Sequence, residues 1–163
     1  MLAGPDAAKR MARQLDFDDL ERVIAIDGAN VGRSRRRFFE KRMAAARHDP
    51  HDFIQIGVMW GGVLCGFAIA HILRGEFGRE HAVAVLDALG VEPGSQECGV
   101  GQCLMQELAR AARSMGVRTL HSQVSWDDQD LLPFFHASGF ELAPRLILER
   151  PVAVRLDEPS EEI

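Results

Sequence analysis

The stretch of sequence that decides the fold reads Leu89-Gly90-Val91-Glu92-Pro93-Gly94-Ser95-Gln96-Glu97-Cys98-Gly99-Val100-Gly101-Gln102. An apolar run from Ala82 to Leu89 predicts a buried strand, which Pro93 and Gly94 end. After Gly99 the apolar residues recur at steps of three and four positions, as they do on one face of a helix. These residues are Val100, Cys103, Leu104, Leu108, Ala111, Ala112 and Met115. The predicted order is therefore a strand, a glycine-containing turn and a helix.

A helix that begins in such a turn presents backbone N–H groups that have no acceptor inside the helix. The helix dipole adds positive potential there, so a phosphate or diphosphate is the natural ligand. The turn lacks the Gly-Lys-Ser/Thr of a Walker phosphate loop, and it lacks the third glycine of the dinucleotide-binding fingerprint. A helix start that binds no ligand is the alternative interpretation of the two glycines.

Two segments of the chain resemble the GNAT family of N-acetyltransferases. Gln96-Glu97-Cys98-Gly99-Val100-Gly101 is similar to the family's Gln/Arg-x-x-Gly-x-Gly/Ala signature. Phe134-Phe135-His136-Ala137-Ser138-Gly139-Phe140 is similar to the family's last helix and to the glycine that ends it. The resemblance implies an α/β (α+β) fold of the GNAT type. Such a fold has a central mixed sheet with an antiparallel meander, a splayed parallel strand pair and flanking helices.

Composition excludes several other classes of protein. The 163 residues are enough for one domain with a core, and 47% hydrophobic with 26% charged residues is typical of globular proteins. A net charge of -5 argues against general nucleic-acid binding. No apolar run is long enough to span a membrane, and the first residues lack the pattern of an export signal. Cys65, Cys98 and Cys103 fit neither a disulfide framework nor a metal spacing, so we expect a cytoplasmic protein without a metal.

The other elements are predicted from apolar periodicity, glycines and capping residues. Gly61-Gly62 indicates a hairpin, and the strand after the long helix should run parallel to the 82–91 strand. We expect a leader at 1–10, one domain at 11–151 and an acidic, disordered tail at 152–163. The predicted elements are a strand at 11–15, a helix from Leu20 to Gly28, a helix from Ser34 to Arg47, strands at 52–60, 63–73, 82–91 and 118–126, helices at 99–115 and 131–137, and closing strands at 140–142 and 146–150.

The resemblance also implies a co-substrate, acetyl-CoA. In the family the turn binds the diphosphate, and the pantetheine arm enters between the splayed strands and pairs with exposed backbone. By match to the family, the coenzyme-binding residues are Leu89, Gly90, Val91, Gln96, Glu97, Cys98, Gly99, Val100, Gly101, Gln102, Asp128 and Phe135. A helix N-cap is the alternative role for Asp128.

The implied reaction is a direct attack of an amine on the thioester. The amine must be neutral when it attacks, so a base or a water chain takes its proton. Asp87, which interrupts the apolar strand, and His121, on the neighbouring strand, are the candidate bases. A hydrogen-bonded, purely structural strand residue is the alternative for each. A backbone N–H near Val91 can stabilise the charge that develops on the carbonyl oxygen.

The chain departs from the family at the general acid. Many members have a tyrosine in the last helix that protonates the leaving thiolate, but this chain has no tyrosine and the matching residue is Phe135. His136, Ser138 or water would take its place, or the thiolate leaves unassisted, since the pKa of a thiol is only about 8.5.

The predicted function is transfer of an acetyl group to a primary amine of a small molecule or peptide. The alternative is a catalytically weak or inactive module that binds CoA. We expect neither nucleic acid nor a membrane as partner, and the sequence leaves monomer and homodimer open, although dimers are common in the family.

Overall fold

A mixed sheet lies at the centre of the computed structural model, which describes residues 10–75, 78 and 80–151. Its strands, in spatial order, are β1 (Met11–Gln14), β2 (Phe53–Trp60), β3 (Val63–Leu73), β4 (Val83–Val91) and β5 (Thr119–His121). Neighbouring strands are antiparallel except for β4 and β5, which are parallel. The predicted meander and parallel pair are thereby confirmed. Residues 1–9 and 152–163, the predicted leader (but for Arg10) and the tail, lie outside the described residues.

Helices cover both faces of the sheet. They are α1 (Leu20–Val31), α2 (Arg36–His48), α3 (Val100–Ser114) and α4 (Leu131–Ala137). Alternate residues of β3 belong to two different cores, because successive side chains of a strand point to opposite faces. Phe67 and Ile69 pack with α1 and α2, whereas Ala68 and Ala70 pack with α3. Among the described residues, no helix is both long and apolar enough to cross a bilayer.

The hairpin predicted at Gly61-Gly62 joins β2 to β3. Both glycines have positive φ angles, 59° and 80°, which the two central residues of a type I′ turn require. This turn brings two long strands into register along their whole length, apart from one irregularity between Val58 and Met59.

One extra residue interrupts β4. Ala88 pairs with Ile69 and Leu86 pairs with Ala70, so Asp87 between them is the bulged residue. A bulge bends its strand and increases the local twist. The pairing of β4 with β5 is confined to Val83–Val85, and no other described residue pairs with the second half of β4 on that side. The sheet therefore has the splayed strand pair that the family resemblance implies.

Four local predictions are wrong. Helix α1 continues through Gly28 because Gly32, with φ of 72°, provides the left-handed cap and donates to the Gly28 carbonyl at 2.9 Å. Ser34 is not the N-cap of α2, since that position is Arg35, whose side chain does not cap the helix. Strand β5 has three residues, not the nine predicted at 118–126, and residues 140–142 and 146–150 form no strand. So short an edge offers few pairing partners, and Pro144 has no N–H to donate.

Candidate functional site

The turn between β4 and α3 holds a row of backbone N–H groups without a protein acceptor. A single 3₁₀ turn at Pro93–Ser95 leads to Gly99, and α3 begins behind it. The Cys103 N–H donates to the Gly99 carbonyl at 3.1 Å and is the first of the helical ladder. Within the described part of the chain, the amides of residues 98–102 have no acceptor. Amides in this arrangement at a helix N-terminus bind phosphate groups.

Side chains are excluded from the turn at both glycines. Gly99 has φ of 76°, and a Cβ built on it would lie 2.6 Å from Nη1 of Arg10. A Cβ on Gly101 would lie 2.8 Å from the ring of Phe134. The Arg10 guanidinium donates to the Cys98 carbonyl and so places a positive charge beside the turn. Because a guanidinium has no acceptor atom, it does not occupy the amides of the turn. The turn is therefore accessible to an anion through backbone groups.

A cavity of about 860 Å³ opens beside the turn and extends along the end of β4 to the end of α1. Nine of the twelve residues predicted to bind the coenzyme line it: Leu89, Gly90, Val91, Gln96, Glu97, Gly99, Gly101, Gln102 and Asp128. The rest of its lining is Asn30, Val31, Arg35, Asp130, Leu131 and Phe134. The structure thus brings most of the predicted coenzyme-binding residues to one cavity.

The other three predicted residues do not line the cavity. Val100 is buried in the core on the α3 face, and Cys98 is exposed. Their predicted contribution comes from backbone N–H groups, so these positions are compatible with it. Phe135 is buried, with its ring 5.4 Å from the Phe134 ring and 4.9 Å from the Phe140 ring. It is Phe134 whose ring lies against the turn, so the residue at the family's tyrosine position belongs to the core.

The unpaired end of β4 presents backbone groups to the cavity. The Glu92 N–H donates to the Cys65 carbonyl of β3 at 2.8 Å, so Gly90, two residues earlier, also faces β3. Leu89 and Val91, at the alternate positions, face the side from which β5 has diverged. Gly90 has a steric role instead, because a Cβ there would lie 2.5 Å from the Phe67 ring.

The end of α1 is tied to both sides of the turn. Asn30 Nδ2 donates to the Val91 carbonyl at 2.9 Å and to the Ile26 carbonyl at 2.8 Å. Gln96 Nε2, at the start of the turn, donates to Asn30 Oδ1 at 2.9 Å. These bonds fix the turn relative to the unpaired end of β4.

A buried ion pair supports the same side of the cavity. The Asp27 side chain is 2% exposed, and its carboxylate accepts from Nε of Arg35 at 2.9 Å and from Nη2 of that residue. This hydrogen bonding raises the pKa of Arg35 further above its ordinary value. The Arg35 guanidinium also lies 5.3 Å above the Phe38 ring. Arg35 therefore lines the cavity in a fixed, charge-compensated position.

Asp87, the bulged residue of β4, is largely buried. Its Oδ1 lies 2.8 Å from His71 Nδ1 and 3.4 Å from Arg42 Nη2. Its Oδ2 is buried and has no hydrogen-bond partner among the described residues. Asp87 lines neither cavity itself but lies two positions before Leu89 of the main cavity wall, about 7 Å along a strand. The predicted base thus lies beside the point where β4 and β5 diverge.

The two other candidate catalytic residues lie elsewhere. His121 is paired with Val85, and its Nε2 is 3.5 Å from Arg145 Nη1. It borders a second cavity of about 690 Å³, which Ser138 also lines. His136 is exposed on α4 and lines neither cavity. Of the three candidates, Asp87 is the one next to the unpaired end of β4.

The N-cap position of α4 is Asp130, and Asp128, predicted as the alternative N-cap, lies two residues earlier and bonds to the start of the helix. Oδ1 of Asp128 accepts from the backbone N–H of Leu131 at 3.0 Å and of Asp130 at 3.2 Å, and so satisfies amides at the start of α4. The same residue lines the main cavity. The described residues contain no group of three or more His, Cys, Asp and Glu side chains that could hold a metal ion.

Sequence reasoning missed several residues of this region. Asn30 and Arg10 reach the turn from positions 61 and 88 residues away from their partners, and no local pattern indicates such contacts. His71 did have a signal. It is a polar residue within the apolar strand 63–73, which is the same feature that singled out Asp87.

Comparison with known proteins is consistent with this geometry. Residues 13–140 match the sequence model of the acetyltransferase (GNAT) family. No curated protein matches the chain in sequence.

Solved structures share the fold. The aminoglycoside N-acetyltransferase AAC(6')-Iy in complex with CoA has a TM-score of 0.75 and 21% identity, over 92% of this chain and 99% of that chain. A transcriptional regulator from Bacillus halodurans C-125 has a TM-score of 0.75 and 16% identity, over 88% and 99%. Glucosamine-6-phosphate N-acetyltransferase from Arabidopsis thaliana has a TM-score of 0.68 and 15% identity, over 87% and 98%. At these identities the likeness shows the fold alone.

Proposed function

The chain belongs to the GNAT acetyltransferase family, and from this membership we propose that it transfers an acetyl group from acetyl-CoA to a primary amine of a small molecule or peptide. The observation that carries the proposal is the row of acceptor-free amides at residues 98–102, beside a cavity that reaches the unpaired end of β4. A diphosphate and an extended chain attached to it would use these two features together.

The residues present fit a CoA molecule in two respects. The amides at 98–102 are available to the diphosphate, and Gly99 and Gly101 leave room for it. The backbone groups of Leu89 and the N–H of Val91 are available to the amides of a pantetheine arm, as to an added strand, whereas the Val91 carbonyl already accepts from Asn30. The cavity volume of about 860 Å³ lies within the range of ligand pockets. The coenzyme supplies an acetyl group activated as a thioester.

The residues of the chain have separate roles in the proposed reaction. Asp87 takes the proton of the acceptor amine, because it is the carboxylate beside the divergence of β4 and β5. The Val91 N–H, which faces the gap, donates to the carbonyl oxygen as negative charge develops on it. His121 is the second candidate base. It contacts Arg145 and lines the second cavity, not the main one.

The departure of the thiolate has no tyrosine to assist it. Phe135 has no proton to donate, and it is buried in the core. The exposed position of His136, outside both cavities, does not favour it as the acid. We propose that water protonates the thiolate or that it leaves unassisted, since the pKa of a thiol is only about 8.5.

Amino sugars are the first acceptors to assay. Two of the structurally similar proteins are named for action on aminoglycosides and on glucosamine 6-phosphate. Peptides with a free amine form the second class. A cytoplasmic location stays a prediction, supported by the three free cysteines.

Release of free thiol from acetyl-CoA, followed with and without each amine, tests the proposal. We expect release that depends on one of these acceptors and saturates with its concentration. The alternative, a CoA-binding module without turnover, is favoured by the missing tyrosine and the buried Phe135. Binding of acetyl-CoA without thiol release for any amine would support that alternative, and absence of binding would contradict both functions.

A further inference from the structure

The two oxygens of the Asp87 carboxylate have different environments. Oδ1 is 2.8 Å from Nδ1 of His71, on β3, and 3.4 Å from Nη2 of Arg42, on α2. Oδ2 is buried and has no partner among the described residues. The whole side chain is only 8% exposed, so water has little access to it. Oδ1 is held by a hydrogen bond with His71 and an ion pair with Arg42, whereas Oδ2 has no partner among the described residues.

Such an asymmetry needs an explanation, because buried polar atoms nearly always have a hydrogen-bond partner. An ionised carboxylate oxygen only accepts, so its absent partner must be a donor. The N–H of an amine is such a donor. The bulge places Asp87 about two residues before the wall of the main cavity, where an acceptor amine would meet the thioester.

The chemistry of the contact fixes the role of His71. As the proposed base, the Asp87 carboxylate can only accept in this contact, so the proposal assigns the hydrogen to Nδ1 of His71. Ile69 and His71 lie on the same face of β3, and Ile69 packs in the core with α1 and α2. Arg42 approaches the carboxylate from α2 on that face. It lies 5.6 Å from the Phe38 ring, which limits its movement.

We propose that His71 is a positioning residue for the acetyl transfer. Its Nδ1–H holds Oδ1 of Asp87, so that Oδ2 is presented to the acceptor amine and takes its proton. The proposal rests on the proposed function, and it adds a residue that neither the family signature nor the cavity lining includes. Arg42, whose Nη2 lies 3.4 Å from the same oxygen, assists in holding the carboxylate in place.

An N–H bond of the amine breaks and the proton forms a bond to Asp87 Oδ2. The nitrogen lone pair forms the C–N bond to the thioester carbonyl carbon, and the C–S bond breaks with its electron pair on sulfur. The proton on Asp87 passes to water after the product has left, and the thiolate leaves unassisted or takes a proton from water. His71 keeps its Nδ1 hydrogen throughout.

Variants of His71 separate positioning from a structural role. His71→Leu removes the donor, whereas His71→Asn keeps an amide N–H near the place of Nδ1. We expect His71→Leu to lower kcat at least about tenfold, with KM for acetyl-CoA changed less than about twofold, and His71→Asn to restore most of the loss. The exposed His48 provides the matched control, and His48→Leu should be unchanged in every readout. If His71→Leu does not fold, His71→Gln replaces it, since its amide reaches beyond the Nδ1 position.

Combination with Asp87→Asn tests whether His71 acts through Asp87. Asp87→Asn should lower kcat by about 100-fold, as expected for loss of a general base. Adding His71→Leu to Asp87→Asn should then have little further effect, because the carboxylate that His71 positions is gone. Equal effects of His71→Leu in both backgrounds, or equal kcat values for the Leu and Asn variants of His71, would overturn the proposal.

A readout without turnover keeps this inference distinct from the proposed function. Long-range ¹H–¹⁵N spectra of the neutral imidazole should show His71 protonated at Nδ1 in the wild type, and a change of this tautomer in Asp87→Ala. The Nε2-protonated form in the wild type would overturn the positioning role even if the enzyme is active. If the spectra agree but no amine releases thiol from acetyl-CoA, the hydrogen bond stands and it is the proposed function that fails.

Discussion

Asn30 Nδ2 donates to the carbonyl oxygen of Val91 across 2.9 Å, although the two residues are 61 positions apart. Gln96 Nε2 in turn donates to Asn30 Oδ1 at 2.9 Å. The end of α1 is therefore linked to the end of β4 and to the first residue of the glycine turn. This pair of bonds sets the distance between the amides at 98–102 and the unpaired strand end, the two parts of the proposed coenzyme site.

The link predicts energetic coupling between Asn30 and Gln96 in coenzyme binding. Each single change to Ala should weaken acetyl-CoA binding, because the turn is then less well fixed against β4. A double-mutant cycle measured by calorimetry should give a coupling energy of about 0.5–1.5 kcal/mol. Strictly additive effects would show that the two side chains act independently and that this link does not position the turn.

Gly101 should tolerate no side chain if coenzyme is to bind. A Cβ there would lie 2.8 Å from the Phe134 ring, which lines the cavity, so Gly101→Val must displace that ring. We expect at least a tenfold rise in the Kd for acetyl-CoA, or about 1.4 kcal/mol of lost binding free energy. The thermal stabilisation that a saturating ligand provides should shrink accordingly.

Gly94 is the matched control for that change. It lies in the same loop, and a Cβ built on it meets nothing within 4 Å. Gly94→Ala should therefore bind acetyl-CoA like the wild type. Wild-type affinity in Gly101→Val, or an equal loss in Gly94→Ala, would show that the turn does not hold the ligand in the way described.

The cysteines should differ in their reactivity toward iodoacetamide. Cys65 is buried and its Sγ donates to the Val58 carbonyl at 3.2 Å, and burial raises the pKa of its thiol above the ordinary value. Because the thiolate is the reactive form, Cys65 should react only after unfolding. Cys98 is exposed in the turn and should react first. Acetyl-CoA should slow its modification, as measured by mass spectrometry of the peptides, and equal rates with and without ligand would contradict binding at the turn.

Acid should remove the stabilisation that Asp19 provides. Arg13 donates to both oxygens of Asp19, at 2.6 and 2.7 Å, and this bonding holds the pKa of Asp19 below its ordinary value of 3.8. A carboxylate with a lowered pKa contributes its full stability above the ordinary value and loses it as the pH falls through the lower, folded-state value. Asp19→Asn should therefore lower the free energy of unfolding by about 1.5–3 kcal/mol at pH 7. This difference from the wild type should disappear once the pH is below the folded-state pKa of Asp19.

Urea unfolding at a series of pH values measures this difference. Asp18, one residue earlier, is exposed and serves as the control, so Asp18→Asn should stay close to the wild type throughout. A cost of Asp19→Asn that persists unchanged in strong acid would mean that the Arg13–Asp19 bond does not account for it.

The fold was predictable where the local signals were strong. Gly61-Gly62 predicted the hairpin because only glycine adopts two successive positive φ angles readily. The apolar periodicity after Gly99 predicted α3, and the order of strand, helix and strand predicted the parallel pairing of β5 with β4. The helix end predicted at Gly28 was wrong because a glycine within a helix cannot be told from a glycine that ends a helix by sequence alone. Which of them adopts a left-handed φ depends on the chain that follows, here Gly32.

The site was predictable only where its residues are contiguous. The turn itself follows from the segment 96–102, but the contacts of Arg10, Asn30 and His71 depend on how distant elements pack. The bulge at Asp87 is another such feature, because the register of β3 against β4 is a property of the pair and leaves no mark on either strand alone. These long-range contacts are the ones that position the candidate base and the turn.

An amide ¹H–¹⁵N titration with acetyl-CoA tests the central claim most directly, since it reports on each backbone N–H separately. The largest shifts should fall on residues 98–102, with further shifts at Leu89 and Val91, and Gly101→Val should abolish them. If acetyl-CoA binds while those amides keep their positions in the spectrum, the diphosphate is bound elsewhere and the proposed site is wrong.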